Sequence, residues 1–89
     1  MGYVMVSADF PDVTSAQRDK IYDCLEKKNW TKFTNIGRDI STTWIGYFGS
    51  EVSEQSALEI SKKNFIDCSK PYTTPKLALH FGSNKPTTY

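Results

Sequence analysis

Asp9 is the side chain best placed to do chemistry. It lies in the segment V-S-A-D-F-P, residues 6–11, at the close of a run rich in β-formers. Pro11 has no N–H to offer a ladder, so the strand stops there, and a side chain at the stop faces open solvent. Strand ends in α/β proteins are common places for ligand sites. The plainer role for Asp9 is to cap the strand or the turn at Pro11. Arg38 and Asp39 fall in a turn, with Lys32 on the strand before it. An arginine can grip phosphate in bidentate fashion, and a solvated turn accounts for the same residues. Lys27 and Lys28 lie on one helical segment and Lys62 and Lys63 on another. They form a basic patch if the segments lie side by side, although charge runs are ordinarily solvated faces. His80 is the one histidine. It excludes a two-histidine metal site, and its place inside a strand reads as half-exposed. There is no phosphate loop, no G-x-G-x-x-G and no H-E-x-x-H.

Six predicted elements position these residues. Tyr3–Phe10 is a strand with Val4, Val6 and Ala8 on one face and Met5 and Ser7 on the other. Apolar character on both sides suits a central strand. T-S-A-Q at residues 14–17 is a capping box. It opens a helix over Ser15–Lys28, with Ile21, Cys24 and Leu25 on its buried stripe and Asn29 closing it in the left-handed conformation. Thr31–Ile36 and Thr42–Phe48 read as a hairpin around a turn containing Gly37, Arg38 and Asp39. Gly46, inside the second of these strands, marks a bulge or the close approach of another backbone. Ser53 caps a second helix running to about Cys68, with Ala57, Leu58, Ser61, Phe65 and Cys68 inward. Lys76–Phe81 is the last strand. The predicted core is Val4, Val6, Ile21, Leu25, Ile45, Leu58, Phe65, Leu77 and Leu79.

Right-handed crossovers then give an α+β, ferredoxin-like βαββαβ sandwich. Its four-stranded antiparallel sheet has the first and third strands in the middle and both helices on one face. Residues 1–89 form a single domain, with 82–89 a polar C-terminal tail. The 11 Lys and Arg against 10 Asp and Glu leave a net charge of +1. Bulk attraction to phosphate is therefore weak, and any nucleic-acid binding has to come from local patches. No apolar run approaches the ~18 residues of a membrane helix, and the first residues lack the pattern of a signal peptide. A cytoplasmic protein without membrane contact is expected. Cys24 and Cys68 have no metal-ligand spacing. They read as reduced, buried core residues, with a disulfide as the alternative.

The V-S-A-D-F-P segment resembles the start of Cas2-like proteins. That group includes the Cas2 proteins of CRISPR systems, VapD-type endoribonucleases and the antitoxin endoribonuclease of type V toxin–antitoxin systems. The antitoxin is nearest in pattern: a strand V-S-x-D-aromatic-P, then a polar, Ser-rich helix start. The order of elements matches from Tyr3 to Phe81, while the motif itself spans about six residues. The resemblance implies that Asp9 is catalytic and pairs with its symmetry mate across a homodimer to hold a divalent cation such as Mg2+. A hard cation takes carboxylate oxygen and activates water. One carboxylate per chain is too few, so two chains must converge. RNA is the implied substrate, and Lys32, Arg38, Lys62 and Lys63 are the candidates to hold its backbone.

One face of the predicted sheet has no helix to cover it. Part of the set Met5, Phe33, Trp44, Phe48 and His80 is expected there, more aromatic surface than a small monomer usually exposes. Two such faces can bury each other about a two-fold axis. Cas2-like proteins are similar in pairing this way, and the tail 82–89 could then cross to an edge of the partner's sheet, with Pro86 limiting it to a short ladder or an outer edge. An RNA-recognition sheet, which stacks bases on aromatics of its central strands, is a weaker match. Residues 44–48, W-I-G-Y-F, lack the basic-Gly-aromatic pattern, and Tyr3 is off the matching centre. The rival function is a non-enzymatic dimeric interaction protein or inhibitor encoded by a mobile element. The near-zero net charge favours that rival, and the V-S-A-D-F-P segment favours the endoribonuclease.

Overall fold

The computed structural model describes residues 2–35 and 38–83, with the backbone alone for 33–35 and 38–42. The elements are β1 (Gly2–Asp9), α1 (Ser15–Lys27), β2 (Thr31–Asn35), β3 (Arg38–Phe48), α2 (Glu54–Ser69) and β4 (Lys76–Gly82). The strands form one antiparallel sheet in the order β2-β3-β1-β4. The first and third strands are therefore central, and the fold is the α+β ferredoxin-like one.

Local chemistry sets the helix ends. Thr14 Oγ1 accepts from the Gln17 N–H at 3.1 Å, and Gln17 Oε1 accepts from the Thr14 N–H at 3.0 Å. Asn29 follows α1 with φ of 68°, a left-handed position that asparagine tolerates. Ser53 Oγ accepts from the Ser56 N–H at 3.2 Å and starts α2. The hairpin is tighter than predicted. Asn35 pairs with Arg38 and Thr34 with Asp39, so Arg38 and Asp39 are strand residues rather than the turn. Pairing along the ladder outweighs their local turn preference. Ile36 and Gly37 lie outside the described residues, as does the tail from residue 84.

Directly paired residues on neighbouring strands share a face, which decides the core. Val6 stands opposite Trp44 and Leu79, and Val4 opposite Gly46 and Phe81. This set faces the helices. Trp44 is fully buried, and Phe48 packs against the same cluster. Both belong to the set from which the open face was expected to draw; the register with β1 turns them inward. Trp30 joins the core as well, its ring 4.9 Å from that of Phe65. A Cβ on Gly46 would come within 2.8 Å of the Trp30 ring. The glycine is therefore the seat of an indole: what approaches it is a side chain, not the second backbone that its place in the strand suggested. Ile45 is buried but stands opposite Met5, outside the main cluster. Leu58, Leu77 and Leu79 are half-buried at its margin. Buried Ser61 and Ser69 donate to the Ala57 and Phe65 carbonyls at 2.6 and 2.8 Å, so neither hydroxyl is stranded.

Cys24 and Cys68 form a disulfide between α1 and α2, with Cα atoms 5.6 Å apart. This corrects the expectation of free thiols. Both residues lie on the inward stripe of their helix, and the side-by-side packing of the helices turns those stripes toward each other.

Trp44 supplies a stability prediction. Its Nε1 is buried and has no hydrogen-bond partner among the described residues. Trp44→Ala is expected to cost about 3–5 kcal/mol. Trp44→Phe is expected to cost under about 2 kcal/mol, because it also removes the unsatisfied donor. Urea titration of both variants checks this. Equal losses would show that the indole nitrogen is worth keeping.

Candidate nucleic-acid interface

Asp9 is the last residue of β1 and is exposed. It alternates onto the open face with Tyr3, Met5 and Ser7 and stands opposite Lys76 of β4. Ser7, Ala8, Asp9, Lys76, Leu77 and Ala78 line a shallow hollow of about 370 Å³. The strand end is anchored on both sides of the carboxylate. Ala8 and Phe10 are buried. The turn beyond passes through Asp12 at φ of 62°, and Thr73 Oγ1 donates to the Pro11 carbonyl at 2.8 Å. Among the described residues no hydrogen bond or ion pair engages the Asp9 carboxylate. It does not cap the Pro11 turn, and it stands as a solvent-facing acceptor on a fixed piece of backbone.

Elsewhere the open face carries an aromatic and apolar patch beside polar Thr43 and His80, and it shares only Met5 and His80 with the predicted set among the side chains described. Tyr3 stands opposite Tyr47 with ring centroids 5.3 Å apart and planes at 65°. Met5 lies between Ile45 and His80. Tyr47 is 55% exposed, and His80 is exposed as expected. The Phe33 side chain lies outside the described residues. The signal for the two tyrosines was present in the chain. Once Gly46 is taken as a seat for a core ring, β3 alternation puts Tyr47 on the opposite face. Tyr3 follows from its place beside Val4.

Of the predicted phosphate-holding residues, Lys32, Lys62 and Lys63 do not gather around Asp9. Lys32 stands opposite Trp44, on the helix side of the sheet. Its Nζ lies 5.2 Å from the centre of the Tyr22 ring, a cation–π contact that holds the ammonium against the domain. Lys62 and Lys63 are exposed on α2, and Lys62 borders a groove beside β4. Lys27 and Lys28 line a separate hollow with Lys20, Asp23 and Cys24. The Arg38 side chain lies outside the described residues. Lys76, which sequence reasoning passed over, is the cation set beside Asp9. Only the antiparallel register of β4 against β1 reveals it.

Among the described residues no three His, Cys, Asp or Glu side chains converge as metal ligands. Mg2+ takes six oxygen ligands, and one chain offers a single carboxylate here. The site fits a cation only where a second copy adds its own Asp9. Among the described residues no helix is long and apolar enough to cross a membrane. No family model matches the chain, and neither a curated protein nor a solved structure matches it.

Proposed function

We propose that the protein is a Cas2-like, RNA-binding endoribonuclease that works in the cytoplasm as a homodimer, in the manner of an antitoxin from a toxin–antitoxin pair. One observation carries the reading. Asp9 closes a central strand on the same face as the Tyr3, Met5, Ile45 and Tyr47 patch. A two-fold contact through that face, with its axis near the end of β1, sets two Asp9 carboxylates opposite each other. The pair would hold a divalent cation such as Mg2+, which would supply Lewis-acid polarisation of water and of the phosphodiester oxygen. Lys76 adds positive charge for the phosphodiester, and Ser7 adds a hydroxyl at the same strand end.

The Tyr3–Tyr47 contact favours a second reading. Sheets that bind single-stranded RNA stack bases on aromatics of their two central strands, and these tyrosines meet on β1 and β3. A monomer would then bind RNA on the open face without cutting it. One surface cannot serve as dimer interface and base platform together, so oligomeric state separates the readings. Sedimentation velocity at micromolar concentration is expected to give twice the 10.1 kDa chain mass, and Tyr47→Glu is expected to break the dimer. A 10.1 kDa species that shifts on adding a mixed-sequence RNA oligonucleotide supports the platform instead. A dimer that ignores RNA supports the non-enzymatic interaction protein.

A further inference from the structure

The order of the sheet leaves β4 at an edge. Among the described residues its outer backbone groups have no ladder partner. An exposed edge of this kind is a template for one more strand. Beside it lies a groove of about 470 Å³, bordered by Lys62, Ile66 and Lys70 on the α2 side and by Pro75, Leu77 and Leu79 on the β4 side. That volume is within the roughly 300–1,000 Å³ of ordinary ligand sites. Leu77 and Leu79 face the helices from the edge strand and stay half-buried. The groove is the space that a fifth strand's inward side chains would fill.

We propose that this groove binds an acidic, extended segment of another protein, which joins the sheet alongside β4. The proposal is independent of the RNA reading. Its charge logic comes from α2. Lys62 and Lys70 are two helical turns apart, roughly 12 Å along the axis. Lys70 meets Asp67 at 3.9 Å in an exposed pair, a contact of little strength. Lys62 has no carboxylate partner among the described residues. Residues i and i+4 of a strand share a face and lie roughly 13 Å apart. An acidic-x-apolar-x-acidic segment therefore sets a carboxylate at each lysine and its central apolar side chain against Ile66, Leu77 and Leu79. The chain's own residues 84–89 have no acidic side chain, and Pro86 offers no N–H to a ladder. They match the groove poorly.

The test is fluorescence anisotropy of the full chain with the labelled peptide Thr-Thr-Glu-Thr-Val-Thr-Glu-Thr-Thr. Saturable binding is expected below about 1 mM. Changing both peptide glutamates to glutamine is expected to weaken it about tenfold, as is the double variant Lys62→Glu with Lys70→Glu. Both lysines are exposed, so circular dichroism is expected to show an unchanged fold. Two further peptides, N-methylated on alternate residues in the two opposite phases, probe the backbone directly. One phase blocks pairing with β4 and is expected not to bind, while the other binds. Equal binding by both phases overturns the proposal, as does indifference to the charge changes or no binding at about 1 mM. Binding that appears only after residues 84–89 are deleted also overturns it, because the chain's own tail then occupies the groove.

Discussion

Cys24→Ser combined with Cys68→Ser is expected to lower the stability of the domain by about 4 kcal/mol. The disulfide joins residues separated by 44 positions, and a closed loop of that size removes much entropy from the unfolded chain. It also fastens α1 to α2 on a domain small enough to have a thin core. Against a total stability of roughly 5–15 kcal/mol, the loss is large. For a chain of this length it corresponds to a fall in Tm of roughly 15–30 °C. Thermal melting followed by circular dichroism checks this, and dithiothreitol on the unmodified protein is expected to have the same effect. Cys24 borders a surface hollow, which gives the reductant a path to the bond. An unchanged Tm would mean that helix packing alone secures the pair. The bond also bears on location. Disulfides persist in oxidising compartments and are rare in the reducing cytosol, so a cytoplasmic protein is expected to work with a weaker, dithiol form of this domain.

Asp9→Ala is expected to reduce RNA cleavage to background and leave the fold intact. The carboxylate is exposed and, among the described residues, has no hydrogen bond or ion pair. Its removal should therefore move stability by no more than about 0.5 kcal/mol, as for other surface changes away from special features. Asp9→Asn keeps the shape, loses the charge and is expected to be equally inactive. Mixed RNA incubated with Mg2+ and resolved on a gel measures the first effect, and a urea titration measures the second. Lost folding with cleavage retained would make Asp9 a structural residue and move the chemistry elsewhere.

The fold was largely legible because its signals are local and agree with one another. The Thr14–Gln17 box, Asn29, the Ser53 cap and the apolar character of both β1 faces each point to one arrangement, and such consistency is what specifies a structure. Facing on β3 was not legible. Thr43, Ile45 and Tyr47 alternate with Trp44, Gly46 and Phe48, so both faces carry bulk and parity is undecided until β1 is paired. That one ambiguity left Trp44 and Phe48 as candidates for the wrong side and hid Tyr47. The disulfide was hidden for a related reason: helical stripes show which residues point inward, but not which stripes meet. At the candidate site, Asp9 was readable from Pro11 and the strand end. Lys76 beside it and the displacement of Lys32 to the far face depend on register, which no local pattern encodes.

The central claim is that Asp9 residues from two chains share one divalent cation. Titration of the protein with Mn2+ as a spectroscopic stand-in for Mg2+, followed by electron paramagnetic resonance, tests it most directly. The account predicts one ion bound per two chains, with binding lost in Asp9→Ala. No bound ion, or one ion per chain that persists in Asp9→Ala, would contradict it.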